Sequence, residues 1–335
     1  MLQDGVYTQK DFEAIKILDD FLPGKIFDAH AHLYDSSFVP CLAKNPSMLG
    51  RYDMTTYKQD MVPIFGSDRE LHLNIVTYPD TAMADPSHPS RDMADAFLAQ
   101  QLDENPGSVG EIITVPGDTA ESLRKRLVHP RMIGFKCYHY CSGLPNSWNA
   151  SIGQYLPEAA WQVAHEKKLA ITLHMVKDRA LADPDNLSYI TAMAKAYPDA
   201  TLILAHAARS FAAWTGIETV EKLAHLDNVW FDLSAVCESP AMMQIIKKTG
   251  TQRAMWGSDY PVSKLCGKAI SLGDSFYWIY KKDLEAFSGA TSFSSWLVGV
   301  ENLMATRQAC MLLDLDRKAI EDIFYGNAAR LFGGK

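Results

Sequence analysis

His30 and His32 stand two residues apart in the run Lys25-Ile-Phe-Asp-Ala-His-Ala-His-Leu33. Successive strand side chains point to opposite faces, so residues two apart share one. If Lys25-Ile-Phe opens a buried strand, both imidazoles leave its end on the same side, spaced to grip one metal ion. Taken alone, such a pair is more often two solvated or packed histidines than a metal site. Three later apolar runs, however, also close on a ligand-capable residue: Leu169 to His174, Thr201 to His206, and Ala254 to Asp259. His30, His32, His174 and Asp259 form a nitrogen and carboxylate donor set that suits one divalent ion, zinc first, with manganese or iron as alternatives, and leaves a position for water. Water held by such an ion becomes acidic near neutral pH and serves as a nucleophile. Asp259, in Trp256-Gly-Ser-Asp-Tyr-Pro261, would by itself pass for a turn or cap residue. The three strand-end histidines beside it point instead to a ligand.

These residues need a frame that brings distant strand ends together. From Lys25 to about Pro261, apolar runs alternate with amphipathic stretches, which indicates parallel strands with helical crossovers. Eight strands are expected, beginning at Ile26, Leu71, Glu111, Met132, Leu169, Thr201, Val229 and Ala254, with helices such as Asp92 to Glu104 and Leu156 to Lys167 between them. Eight strand-helix units predict an α/β fold, a single (β/α)8 TIM barrel. Active sites of such barrels lie at the C-terminal ends of the strands, where all the candidate ligands fall. The chain is read as one domain over residues 1–335: an N-terminal helical segment (1–24), the barrel (25–262) and a C-terminal helical extension (263–335). The connection from Tyr34 to Arg69 is long enough to cover the mouth of the barrel. Helical patterns recur near Ser294 to Leu312 and Arg317 to Phe324. The segment Gly273 to Trp278 is aromatic enough to line a pocket, although packing against the barrel is the commoner use of such a run.

With 335 residues, 47% of them apolar, the chain can bury a large core, and its net charge of −8 argues against a nucleic-acid surface. The N-terminus has neither the basic start nor the apolar stretch of a secretory signal. No run approaches the roughly 20 apolar residues of a membrane helix. A soluble, cytoplasmic protein acting on a small molecule is expected, and homo-oligomerisation is compatible with this reading. The six cysteines are scattered, which points neither to a disulfide framework nor to a cysteine zinc site.

The ordered set His30-Ala-His32, His174, His206 and Gly257-Ser-Asp259-Tyr-Pro261, with the ending Gly326-Asn-Ala-Ala-Arg-Leu-Phe332, resembles the amidohydrolase superfamily. It is most similar to the amidohydrolase-2 branch, which contains aminocarboxymuconate-semialdehyde decarboxylase and related decarboxylases, hydratases and lactonases. The resemblance spans roughly Ile26 to Phe332. It implies a single metal ion on His30, His32, His174 and Asp259, with Asp259 also accepting the proton of the attacking water. His206 is a ligand in binuclear members and a polarising or proton-transferring group in mononuclear ones, and the second role is favoured here. Lys136 is the ambiguous residue. In binuclear members a lysine on this strand is carbamylated and bridges two metals, whereas an ordinary ammonium would meet a substrate carboxylate or a strand-end residue.

Other residues are candidates for substrate contact. Arg91, Arg209 and Arg51 are placed near strand ends or in the long first loop, and arginine suits bidentate carboxylate recognition, although a salt bridge or capping role is the commoner fate of each. Tyr138, with Tyr34 and Tyr78, is placed to orient a ring or hydroxyl. His139 alternates away from Lys136 and reaches the pocket only if the strand end bends. His72, His88, His129, His165 and His225 are expected to be structural or solvated. The expected reaction is metal-dependent hydrolysis of a small ester, lactone or amide, with an acidic substrate favoured. Its rival is nonoxidative decarboxylation or hydration with the same parts. Several decarboxylases of the branch replace the first histidine of the pair by glutamate, so His30 leans toward hydrolysis. A binding protein without catalysis would be expected to have lost a ligand, and all are present.

Overall fold

The computed structural model describes residues 7–45, 48–273, 275–285 and 296–333. The first six residues of the expected N-terminal segment, Asp274 and Ser294 lie outside the described residues. Eight parallel strands form one sheet in sequence order: β1 (Lys25–Ala31), β2 (Glu70–Val76), β3 (Val109–Ile113), β4 (Met132–Tyr138), β5 (Ala170–His174), β6 (Thr201–Leu204), β7 (Val229–Asp232) and β8 (Ala254–Met255). The ring is completed where Ala29 N–H donates to Trp256 O at 3.0 Å and His32 N–H to Tyr260 O at 2.8 Å. Helices alternate with the strands, as in Pro89–Glu104, Glu158–Lys167, Pro184–Ala196 and Ser239–Thr249. This is the expected (β/α)8 barrel.

The barrel interior is layered. Nearest the strand starts, Phe27, Ala29, Val109, Ile133, Ala170, Ile203 and Met255, from six strands, pack into one apolar cluster. Ala328 and Phe332 of the last helix, Asn327–Phe332, close it from below. Above this lies a polar layer, in which Asn74 Nδ2 and Thr172 Oγ1 each donate to Glu111 Oε1 at 2.8 Å. The strand-end residues form the top layer.

Strict alternation along β1 cannot put Ala29 and His30 on one side. The pairing of β1 with β2 slips between Asp28 and Ala31, where three steps on β1 match two, Leu73 to Ile75, on β2. This bulge lets Phe27 and Ala29 face inward at the bottom and His30 face inward at the top. Asp28 turns outward instead, and its carboxylate accepts from Tyr57 Oη at 2.8 Å and Ser258 N–H at 2.8 Å. Tyr57 belongs to the helix Met54–Phe65, so the long first connection is anchored to the strand that carries the histidine pair.

The extension expected to be helical begins as a β-hairpin, β9 (Gly267–Leu272) and β10 (Ser275–Tyr280), paired from Gly267 with Tyr280 to Leu272 with Ser275. Alternation in Phe276, Trp278 and Tyr280 against exposed Tyr277 is a strand period, which explains the departure from a helix. Gly267 has φ +152, and a Cβ there would lie 2.2 Å from Ile279 O, so only glycine fits. The helix Val298–Leu312 follows.

Candidate metal centre and substrate cleft

The strand ends bring His30, His32 and Asp259 together. The Nε2 atoms of His30 and His32 are 3.3 Å apart, and Asp259 Oδ1 lies 3.6 and 3.5 Å from them. The opposite nitrogens fix the tautomers. His30 Nδ1–H donates to Asp232 Oδ2 at 2.9 Å, and His32 Nδ1–H donates to Val76 O at 2.9 Å. Both Nε2 atoms therefore present lone pairs to each other and to a carboxylate; the Lys136 ammonium, 3.3 Å from His30 Nε2, offsets their repulsion on one side, and a divalent ion among the three would draw all of them together. Burial, aided by the nearby Lys136 ammonium, lowers the His30 pKa to about 4, so the ring is neutral, the form that binds metal. Donor chemistry, spacing and protonation all fit a divalent ion.

His206 and His174 complete the ring of side chains. His206 Nε2 lies 3.1 Å from His174 Nδ1, and its own Nδ1 faces Ser234 O at 3.2 Å. Burial lowers the pKa of both rings. The described three-residue donor groups are His30, His32 and Asp259, and His30, His206 and Asp232; His174 stands one step further out, beside His206. Lys136 points inward as its alternation predicts, with Nζ 3.3 Å from His30 Nε2, and burial lowers its pKa.

Asp232, at the end of β7, was not among the candidates read from sequence. Besides His30, it accepts at Oδ1 from His206 N–H at 3.2 Å, from Ser234 N–H at 3.0 Å and from the Ser234 hydroxyl. Burial would raise its pKa, but the contacts with His30 and Ser234 outweigh it and hold the carboxyl well below the usual range. Its signal was available: it closes the apolar run Val229-Trp-Phe-Asp232 as the other site residues close theirs.

His206 begins a left-handed turn. His206, Ala207, Ala208 and Arg209 have φ of 57, 52, 59 and 57°. Such a conformation costs roughly 1–2 kcal/mol per non-glycine residue and persists only where its surroundings over-determine it. One turn brings residues three apart onto one side, so His206 and Arg209 enter the same cleft.

The cleft has two arms that share Tyr138, His174, His206, Asp259 and Val262. One, of about 200 Å3, is walled by Trp148, Arg209, Phe211 and the hairpin residues Phe276, Trp278 and Tyr280. The other, of about 120 Å3, is lined by His32, Cys41, Tyr78 and Tyr140. Cys41 comes from the long first connection, which thus reaches the mouth. A larger groove of about 570 Å3 at the other end of the barrel, lined by Asp227, Trp230, Arg253 and Arg330 among others, contains none of these donors.

Three candidates lie elsewhere. Arg91 does not reach the cleft: its Nη2 donates to both oxygens of Asp118 at 2.8 and 2.7 Å and to Ile113 O, all buried. Arg51 pairs with Asp53 at 3.2 Å and stacks on Phe97. His139 is buried behind the cleft wall because the chain leaves the strand at Tyr138 for a 3-10 turn, His139–Ser142. Its Nδ1 pairs with Ser147 Oγ at 2.9 Å. Tyr34, whose hydroxyl donates to Met48 O at 3.0 Å, packs beside Tyr78 rather than lining an arm.

Solved structures share this architecture. A 5-carboxyvanillate decarboxylase from Sphingomonas paucimobilis superposes with a TM-score of 0.59 at 14% identity, covering 93% of this chain and 99% of its own. A putative 2-pyrone-4,6-dicarboxylic acid hydrolase from Pseudomonas putida gives 0.55 at 16% identity, with 93% and 98% covered. A zinc-bound amidohydrolase from Burkholderia multivorans gives 0.57 at 15% identity, with 92% and 99% covered. No curated protein matches the chain significantly. At these identities the likeness is one of fold. Residues 27–334 match the family model Amidohydro_2, described as amidohydrolase, and the chain belongs to that family of metal-dependent enzymes.

Proposed function

We propose that the protein hydrolyses a small ester, lactone or amide at one divalent ion, zinc first, held by His30, His32, His174 and Asp259. The convergence of two imidazole lone pairs and the Asp259 carboxylate at the mouth of the barrel carries this reading. A divalent ion bound there supplies Lewis acidity and an acidified water. Asp259, which lines both arms, takes the proton of the attacking water. His206, whose ring lines both arms and whose Nε2 faces His174 Nδ1, exchanges a proton with the substrate oxygen as charge develops on it. Tyr138, Trp148 and Phe211 exclude water and orient the substrate. Lys136, as an ammonium beside His30, adds positive charge beneath the reacting centre.

A second reading, nonoxidative decarboxylation of an unsaturated or aromatic acid, is favoured by one observation: a cation, Arg209, opens onto the cleft and has no ion-pair partner among the described residues. The test is to incubate purified protein with a panel of lactones and esters and a panel of aromatic acids. Acid formation from the first, abolished by a chelator and restored by metal, supports hydrolysis. Carbon dioxide release from the second alone overturns it in favour of decarboxylation.

A further inference from the structure

We infer that the arm walled by the β9–β10 hairpin is a subsite for a carboxylate carried by a flat substrate, with Arg209 as the anion contact. The inference deepens the proposed reaction, on which it rests only for where the reacting end lies. Four observations carry it.

First, Arg209 lines the larger arm but is held by neutral groups. Its Nη1 donates to Lys177 O at 3.0 Å, and its guanidinium stands 5.0 Å from the Phe276 ring and 5.8 Å from the Trp148 ring. Aromatic faces fix the plane of a guanidinium without neutralising it, so the rest of its donor fork stays available to a carboxylate. Second, Arg91, Arg51, Arg126 and Arg179, near the strand ends or in the long first loop, already meet carboxylates of the chain. Third, the walls are aromatic. Phe276, Trp278 and Tyr280 share one face of β10, and Phe211 sits 4.9 Å from Phe276 and 5.4 Å from Trp278. Aromatic faces and edges of this kind, with Phe211 at 42° to Phe276 and 62° to Trp278, pack on rings or conjugated chains better than on puckered ones. Fourth, the left-handed turn fixes Arg209 relative to His206, so a carboxylate on the guanidinium sets how far into the centre the rest of the substrate reaches. The smaller arm, with Tyr78, Tyr140 and Cys41, has no cation among its lining residues and suits an uncharged substituent or leaving group.

Benzoate, benzamide and cyclohexanecarboxylate are the probes, followed by quenching of Trp148 and Trp278 fluorescence. They are titrated into the protein as purified and after dialysis against a chelator. Benzoate is expected to bind tenfold or more tighter than benzamide, and Arg209→Met to erase the difference. Phe276→Ala is expected to erase the preference for benzoate over cyclohexanecarboxylate. If Arg209→Met does not fold, Arg209→Lys keeps the charge, loses the fork, and is expected to weaken benzoate while leaving benzamide unchanged. Equal affinity for benzoate and benzamide, or a benzoate preference that survives loss of the arginine, overturns the inference. So does a preference that vanishes on chelation, which would place the carboxylate at the metal. Binding is read without turnover, so a protein inactive on every lactone can still pass, and an active lactonase can still fail.

Discussion

His30 Nδ1 and Asp232 Oδ2 are joined at 2.9 Å, both wholly buried, across the barrel from β1 to β7. The carboxylate fixes the imidazole tautomer and aims Nε2 at His32 and Asp259. Asp232→Ala should therefore lower metal affinity by about 10–100-fold while removing no ligand of the proposed set. Competition with a chromogenic chelator measures this directly. Unchanged affinity would show that His30 is aimed by packing alone.

Asp259 and His30 should separate holding the metal from moving the proton. His30→Ala is expected to lose the ion outright. Asp259→Asn keeps an oxygen donor but cannot accept a proton, so it should retain most of the metal and lose kcat by about 100-fold or more. Elemental analysis beside kinetics gives both readouts, and a fully active Asp259→Asn would remove the aspartate from the proton path.

Stoichiometry decides the role of Lys136. With Nζ 3.3 Å from His30 Nε2, the lysine is near enough either to stand as an ammonium or to reach a second ion. The mononuclear reading expects about one ion per chain, unchanged in Lys136→Ala and in His206→Asn. Two ions, one of them lost in either variant, would mean a bridging lysine and His206 as a ligand.

Much of this centre is legible in the sequence because strand ends of a closed barrel converge. Apolar runs ending in His174, His206 and Asp259 need only the count of eight strands to become neighbours. Four features are not legible. The bulge near Ala29 breaks alternation without any glycine to mark it. The left-handed turn at His206 to Arg209 is made of residues with no preference for it, and only tertiary packing imposes it. Arg91 and Arg209 look alike in sequence, and their fates depend on whether an aspartate, Asp118, folds back within reach. The hairpin was hidden for a different reason: aromatic residues such as Phe276 to Trp278 serve a strand, a helix face or a pocket wall equally well.

Glu111 gives the protein a pH dependence apart from catalysis. Its Oε1 accepts two hydrogen bonds, its Oε2 has no partner among the described residues, and burial, against the opposing pull of Asn74, Thr172 and Lys136, raises its pKa to about 7. The folded state then holds a proton that the unfolded chain, with a glutamate pKa near 4.5, releases. Stability from this group is fully present below about pH 4.5 and is lost as pH rises to about 7, a change of roughly 3 kcal/mol. Glu111→Gln keeps an acceptor for Asn74 and Thr172. In chelator-treated protein it should flatten the fall in melting temperature between pH 5 and 8. A variant with the parent's pH profile would mean that Glu111 ionises at its ordinary pKa.

Arg91 and Arg209 should respond in opposite ways to the same substitution. Arg91 closes a buried pair with Asp118 at 2.7 Å, and Asp118 in turn accepts from Val115 N–H at 2.8 Å, which ties the end of β3 to the loop that follows it. Arg91→Met leaves a carboxylate buried without its cation and should cost about 3–5 kcal/mol of stability, read by denaturant melts, with KM for an acidic substrate unchanged. Arg209 has no such partner among the described residues, and Arg209→Met removes a desolvated charge from the cleft wall. That variant should be at least as stable as the parent and should raise KM for an acidic substrate by tenfold or more. If KM rises instead in Arg91→Met, anion recognition depends on the β3 loop, and the arginine three residues past His206 is a wall rather than a contact.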